Sequence, residues 1–182
     1  MAALLQSPAR IFKLLGYAYV FYLIVFLWGY DPTDRTVSPP FVLFVLDTVN
    51  LFIHEAGHFF FGLFPKWLYI FGGSFLQCFL PLLLLILTWL KNPSQISLPG
   101  FWLGENIINV SFYVRDAPVM RLRLIARGVI HDWNWLLSDN LDAAEPLADI
   151  LFIAGVLICG TAVIWGVATI FARQAKPLIP DL

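Results

Sequence analysis

The chain has 182 residues, of which 60% are hydrophobic and 13% are charged. A mean hydropathy of +0.80 excludes an ordinary soluble domain of this size and indicates an integral membrane protein, predicted as a single domain over residues 1–182. The formal net charge is -1 and the Lys and Arg residues form no basic stripe, so we expect no nucleic-acid partner.

The first predicted element is a transmembrane helix over residues 11–30. The run is long enough to cross a bilayer and is rich in aromatic residues. No small-residue cleavage pattern stands before Asp31. We therefore interpret the run as a membrane span and not as a secretory signal.

The second predicted span, residues 41–64, is apolar except for a polar motif, HEAGH, at residues 54–58. On a helix, His54 and His58 lie on one face, one turn apart, so both can bind one Zn²⁺. Glu55 can then approach a water bound to the metal. Ionisable groups cost several kcal/mol in lipid when they are unpaired, which makes these residues candidates for function.

Two further polar residues, Asp47 and Asn50, lie on the same predicted helix as the histidines. Asn50 stands one turn before His54, and either side chain could hold a histidine ring nitrogen. The alternative is that both lie near the membrane surface and face solvent or another helix.

The third span is predicted over residues 67–90 and forms a tight hairpin with the second, because Pro65 separates them. Gly72 and Gly73 permit a close backbone approach, so that an unfolded substrate could pair with the backbone there, and Gln77 follows one turn on. The alternative is ordinary small-residue packing between membrane helices.

A fourth span, residues 99–114, is short and polar. Glu105 and Asn109 lie one turn apart on one face and could hydrogen-bond the histidine helix or a substrate backbone. The alternative is that they form hydrogen bonds that hold the helices together.

Residues 115–146 form one long polar loop, and residues 147–171 are the final predicted span. The fold class is therefore an all-α polytopic membrane helix bundle with about five transmembrane segments. The side that carries the N-terminus and the long loop holds more Lys and Arg, so the N-terminus is predicted to be cytoplasmic. An all-helical chain of this kind suits a bacterial inner membrane. The tail, residues 173–182, is predicted to be frayed.

A catalytic zinc needs three protein ligands, and the helix motif supplies two. The remaining histidine of the chain, His131, lies on the long loop and is the first candidate for the third ligand. Asp132 is the second candidate, because carboxylates also bind zinc, and the unused residue of the two could orient a ligand. Asp116 is a weaker candidate because it adjoins Arg115 and fits a surface ion pair.

These motifs resemble the site-2 protease class of intramembrane zinc metallopeptidases, through HEAGH in one membrane helix and the glycine pair in the next. The set HEAGH, GGSFLQ, WLGENxxNV, VRDA and HDWNWLL is more closely similar to a group of small bacterial membrane proteins related to that class, over roughly residues 41–137. The resemblance implies that His54 and His58 are zinc ligands and that Glu55 is the general base. The class usually draws its third ligand from a Leu-Asp-Gly element, which this chain lacks.

The expected function is that of an intramembrane zinc metallopeptidase acting on membrane-embedded protein substrates. Zn²⁺ would lower the pKa of its bound water, and Glu55 would take the proton and return it to the leaving amine. The alternative is a non-catalytic, protease-like accessory subunit of a larger membrane protein complex, which the small size of the chain would suit.

Two other functions fit the pattern less well. Haem ligation is disfavoured because His54 and His58, one turn apart, cannot take opposite axial positions on one iron. A proton or ion path through Asp47, Glu55 and Glu105 would explain the intramembrane carboxyl groups. Transporters of that kind usually show paired repeats, however, and none is visible here.

Overall fold

The protein was analysed as a computed structural model, which describes residues 7–126 and 128–172. Within these ranges the chain forms α-helices and two short 3-10 turns, with no strand, which confirms the all-α prediction. The helices are Pro8–Trp28 (α1), Phe41–Phe61 (α2), Lys66–Lys91 (α3), Ser97–Asp116 (α4), Asp132–Leu136 (α5) and Ala144–Ala172 (α6).

Among the described residues, three helices are long and apolar enough to span a membrane: Pro8–Trp28, Lys66–Lys91 and Leu141–Ala172, the last including a 3-10 turn before α6. The second and fourth predicted spans are present as the continuous helices α2 and α4, but these two helices carry polar residues and are not among the three. Three membrane-spanning helices are therefore supported, and the five-span arrangement stays a prediction.

The long helices begin and end within about one turn of their predicted bounds. The predicted loop over residues 115–146 is shorter in the structure, because α4 continues to Asp116 and α6 begins at Ala144. The loop also contains the short helix α5. The tail, residues 173–182, lies outside the described residues.

The centre of the bundle is the contact between α4 and α6. A Cβ atom added to Gly104 would lie 2.7 Å from the carbonyl oxygen of Gly155, and one added to Gly155 would lie 2.7 Å from the carbonyl oxygen of Gly104. Only glycine fits at either position, so the two backbones touch. Ile108, next to this contact, is fully buried.

Glycine residues also allow α2 and α3 to approach closely in their hairpin. A Cβ atom on Gly57 would overlap the carbonyl oxygen of Gly72, and a Cβ atom on Gly72 would lie 2.7 Å from the Phe61 ring. The close approach brings α3 against the histidine face of α2. The hairpin thereby forms one wall of the candidate site.

The short helix α5 is held against α3 by Trp133. Its indole Nε1–H donates to the Ser74 hydroxyl at 3.1 Å, and its ring belongs to a buried apolar cluster with Val114, Ala144 and Ala148. This packing fixes the start of α5 beside the hairpin. The neighbouring residue, Asp132, is thereby brought to the histidines of α2.

Candidate metal centre

His54 and His58 direct the same ring nitrogen to one point. Their Nε2 atoms are 3.2 Å apart. On the other side of each ring, His58 Nδ1 lies 2.8 Å from the Tyr69 carbonyl oxygen and His54 Nδ1 lies 3.1 Å from Gln77 Oε1. Both partners are acceptors, so each neutral ring carries its hydrogen on Nδ1 and leaves Nε2 as a free lone pair.

The third atom at this point comes from α5. Asp132 Oδ2 lies 2.8 Å from His54 Nε2 and 3.2 Å from His58 Nε2. The backbone N–H of Asp132 donates to the Tyr113 hydroxyl at 3.0 Å, which ties the start of α5 to α4. Residues 78 positions apart in the chain are therefore held in direct contact.

The three atoms fit a metal ion. Their separations of 2.8, 3.2 and 3.2 Å are slightly shorter than the ~3.4 Å edge of a tetrahedron with metal bonds of ~2.1 Å. With both rings neutral, all three atoms are acceptors, and buried acceptors that face each other without a donor are unfavourable. A cation supplies the missing charge, so His54, His58 and Asp132 could hold a metal ion.

The ionisation of Asp132 agrees with this role. Burial alone would raise the pKa of its carboxyl group. When no metal is bound and a ring carries a proton on Nε2, the contacts with His54 and His58 outweigh burial and lower the pKa below its usual value. The carboxyl group therefore stays ionised, which is the form that binds metals.

The sequence made His131 the first candidate for the third ligand and Asp132 the second, but the structure does not bring His131 to this cluster. Its Nδ1 accepts the backbone N–H of Asn134 at 3.2 Å, so the side chain caps α5, and its Nε2 lies 3.2 Å from Asp116 Oδ2. Burial lowers the pKa of His131 in spite of the nearby carboxylate. The cap directs His131 away from α2, and the next residue, Asp132, faces the histidines.

The sequence suggested a surface ion pair between Asp116 and Arg115, but the structure does not contain this pair. Arg115 pairs with Asp149 on α6. The buried Asp116 carboxylate instead accepts the backbone N–H groups of Arg121 and Leu122 at 2.8 and 3.0 Å. Asp116 therefore fixes the chain as it leaves α4.

Glu55 lines a cavity of about 520 Å³ together with His54, His58 and Asp132. Within residues 7–126 and 128–172, no hydrogen bond or ion pair engages its carboxylate. The carboxylate is therefore available to a molecule in the cavity. Its position next to the candidate ligands agrees with the role expected from the HEAGH motif.

The remaining predicted polar residues form two sets of hydrogen bonds between helices. Asn109 Nδ2 donates to Asp47 Oδ1 at 3.0 Å, and Gln77 Nε2 donates to Asn109 Oδ1 at 2.9 Å. Asn50 Nδ2 donates to Glu105 Oε2 at 2.7 Å. Neither residue of α2 expected to hold a histidine ring contacts one directly, because that contact is made by Gln77 from α3.

The glycine pair has a packing role in the structure. The helix α3 continues through Gly72 and Gly73, and both residues are buried against α2. A Cβ atom on Gly73 would lie 2.6 Å from His54 Nε2, so glycine there leaves room for the ring. The two glycines therefore pack one helix against another, which is the alternative that the sequence left open. The backbone at these two residues is not open to a substrate strand.

Sequence reasoning missed Tyr113, Tyr69 and Ser74. Tyr113 continues the spacing of Glu105 and Asn109 along one face of α4, and that spacing was a usable signal. Tyr69 contributes a backbone carbonyl group, which no side-chain pattern reveals.

Comparisons of this chain with protein-family models, with curated proteins and with solved structures gave no match. The likeness to site-2 proteases therefore rests on the chain's own motifs. Function must be argued from the geometry of the site, because a fold alone does not determine an activity.

Proposed function

We propose that the protein is an intramembrane zinc metallopeptidase that hydrolyses peptide bonds of membrane-embedded proteins. The observation that carries the proposal is the convergence of His54 Nε2, His58 Nε2 and Asp132 Oδ2 on one point. Two imidazoles and one carboxylate are a ligand set that catalytic zinc sites use. The acceptors behind both rings support the same conclusion, since they keep the Nε2 lone pairs free.

Glu55 is the residue proposed to move protons. A bound zinc ion would polarise the scissile carbonyl group and make water acidic enough to lose a proton near neutral pH. The Glu55 carboxylate, facing the same cavity, would accept that proton and return it to the leaving amine. Its freedom from other partners supports this role, because an engaged carboxylate would accept a proton less readily.

The cavity suits a peptide whose backbone is exposed. In a helix each carbonyl oxygen already accepts a hydrogen bond, so a substrate helix must unwind locally before attack. The cavity wall combines apolar side chains with the amide groups of Gln77 and Asn109. Apolar walls with a few polar groups are typical of sites that bind and orient a ligand.

For the membrane arrangement, we propose five spans in a bacterial inner membrane with a cytoplasmic N-terminus. In that arrangement the segment that carries Asp132 lies on the cytoplasmic side, and so does the end of α2 that follows His58. Three of the charges behind this assignment, at Arg127, Arg173 and Lys176, lie outside the described residues. The assignment depends on the sequence alone.

The metal content of the purified full-length protein tests the proposal. Mass spectrometry should find about one zinc per chain in the wild type. Asp132→Asn should lose the metal because an amide is a poor zinc ligand, and His54→Ala should lose it as well. His131→Asn should keep it, since asparagine can still cap α5. A wild type without metal, or an Asp132→Asn variant with full metal content, would contradict the proposal.

Peptidase activity needs its own test, because an accessory subunit could also bind zinc. Glu55→Gln keeps the size of the side chain and removes the proton acceptor. Membranes that contain this variant should accumulate uncleaved membrane proteins that wild-type membranes process. Zinc-loaded wild type and Glu55→Gln with identical membrane proteomes would favour the accessory subunit.

A further inference from the structure

A partly buried chain of hydrogen bonds leads to the candidate ligand His54. Asp47 Oδ1 accepts from Asn109 Nδ2 at 3.0 Å, and Asn109 Oδ1 accepts from Gln77 Nε2 at 2.9 Å. Gln77 Oε1 then lies 3.1 Å from His54 Nδ1. Asp47 on α2, Asn109 on α4 and Gln77 on α3 together form what we call the amide relay.

The amide relay has a direction, because a carboxylate oxygen accepts hydrogen bonds and does not donate them. Asp47 requires the NH₂ group of Asn109, which leaves Asn109 Oδ1 for Gln77. The NH₂ group of Gln77 is used there, so its carbonyl oxygen faces His54. An acceptor at that place keeps the hydrogen on His54 Nδ1 and leaves Nε2 free.

Glu105, one turn before Asn109 on α4, lines the same cavity as Asp47. Asn50 donates to Glu105 at 2.7 Å, and Trp102 donates to Asn50 at 2.9 Å. These hydrogen bonds tie α2 to α4 next to the relay.

We propose that Asp47 is a positioning residue that selects the Nδ1–H tautomer of His54 through Asn109 and Gln77. The inference rests on the proposed function, since this tautomer is the neutral form whose Nε2 can bind a metal. His58 needs no relay, because the Tyr69 carbonyl oxygen is an acceptor under all conditions. The two ligands are therefore controlled differently, one by the backbone and one by side chains.

The tautomer can be measured directly in the metal-free, full-length protein by ¹⁵N NMR of labelled histidine, at an alkaline pH where the rings are neutral. The chain has three histidines, so His58→Gln and His131→Asn suffice to assign the signals. The wild type should show His54 protonated on Nδ1 alone. Asp47→Leu and Gln77→Leu should each give a mixture of tautomers, because both remove the direction of the relay.

A double variant separates direction from mere packing. In Asp47→Asn with Asn109→Asp, the new carboxylate at position 109 accepts from the new amide at position 47 and from Gln77, so the acceptor that faces His54 is retained. This variant should keep the single tautomer. Asn106→Leu is the matched control, since Asn106 is a buried asparagine of α4 that donates to the Trp102 carbonyl group, outside the relay. Its tautomer should equal that of the wild type.

Zinc affinity gives the second measurement. Gln77→Leu should weaken zinc binding by about 10–100-fold, the usual effect of removing a partner behind a ligating histidine, and the double variant should bind nearly as well as the wild type. His54 protonated on Nε2 in the wild type, or a double variant as defective as Asp47→Leu, would overturn the inference. A wild type with the expected tautomer but no zinc binding would contradict the metallopeptidase and leave the positioning role standing.

Discussion

The two faces of α4 differ: one packs against α6 through small and apolar residues, and the other carries hydrogen-bonding side chains. Toward α6, Gly104 touches the backbone at Gly155 and Ile108 is fully buried. Toward α2, α3 and α5, the same helix presents Glu105, which accepts from Asn50, and Asn109 and Tyr113, whose hydrogen bonds lead to the candidate metal centre.

The difference lies in the kind of force that each face uses. Contacts between apolar atoms and between backbones depend on shape and hold helices together without fixing the direction of any side chain. Hydrogen bonds depend on direction and set which atom of a ligand faces the metal. Substitutions on the first face should therefore change stability, and those on the second face should change metal affinity.

The largest effect is expected from Gly104→Val. The first added atom would already lie 2.5 Å from Cys159 Sγ, so α4 and α6 must separate. We expect a loss of about 3 kcal/mol in the free energy of unfolding in detergent, at the upper end for overpacked cores. Gly16→Val on α1 is the control, because no side chain or other helix among the described residues lies within 4 Å of a Cβ atom there. Equal stability of the two variants would contradict the view that the face of α4 toward α6 holds the helices together by close packing.

Gly73→Ala should have the next largest effect, this time on the metal. The new methyl group would lie 2.6 Å from His54 Nε2 and would displace the ring. Zinc affinity, measured by competition with a chelator, should fall about 100-fold, as for strong disturbance of a ligand's surroundings. Gly160→Ala serves as the control, because within the described part of the chain no side chain or other helix lies within 4 Å of a Cβ atom there. Unchanged zinc affinity in Gly73→Ala would show that His54 is not a ligand.

Tyr113→Phe should weaken zinc binding about 10-fold. The change removes only the hydroxyl that accepts the Asp132 backbone N–H, so α5 keeps its packing but loses a tie to α4. Thermal unfolding should change little, because one hydrogen bond contributes about 1 kcal/mol. A large fall in stability with normal zinc affinity would place Tyr113 on the structural side of the comparison.

Ile108→Val should give the smallest effect and the opposite pattern. The lost methyl group of a fully buried side chain should cost about 1 kcal/mol of stability. Zinc affinity should stay at the wild-type value, because Ile108 faces away from the metal centre. A change in affinity as large as that of Tyr113→Phe would mean that the two faces of α4 are coupled.

The sequence predicted those parts of the site that depend on spacing along one helix. The i, i+4 spacing of His54 and His58 on α2, and of Glu105 and Asn109 on α4, follows from helix geometry alone. The helices themselves were predicted to within about one turn, because apolar runs and prolines define them.

The sequence could not decide contacts that depend on how helices are rotated against each other. Gln77 reaches His54 only because glycines bring α3 against α2 at one particular rotation. The choice between His131 and Asp132 depends on the cap of α5, which turns one side chain away and the next one inward. The sequence composition and the motif spacing do not distinguish His131 from Asp132 as the third ligand.

The position of the metal tests the account most directly. Crystals of the zinc-loaded protein should give one anomalous-scattering peak at the zinc edge, bound by His54 Nε2, His58 Nε2 and Asp132 Oδ2. A peak beside His131 and Asp116, or no peak in a protein that is folded and exposed to zinc, would contradict the account.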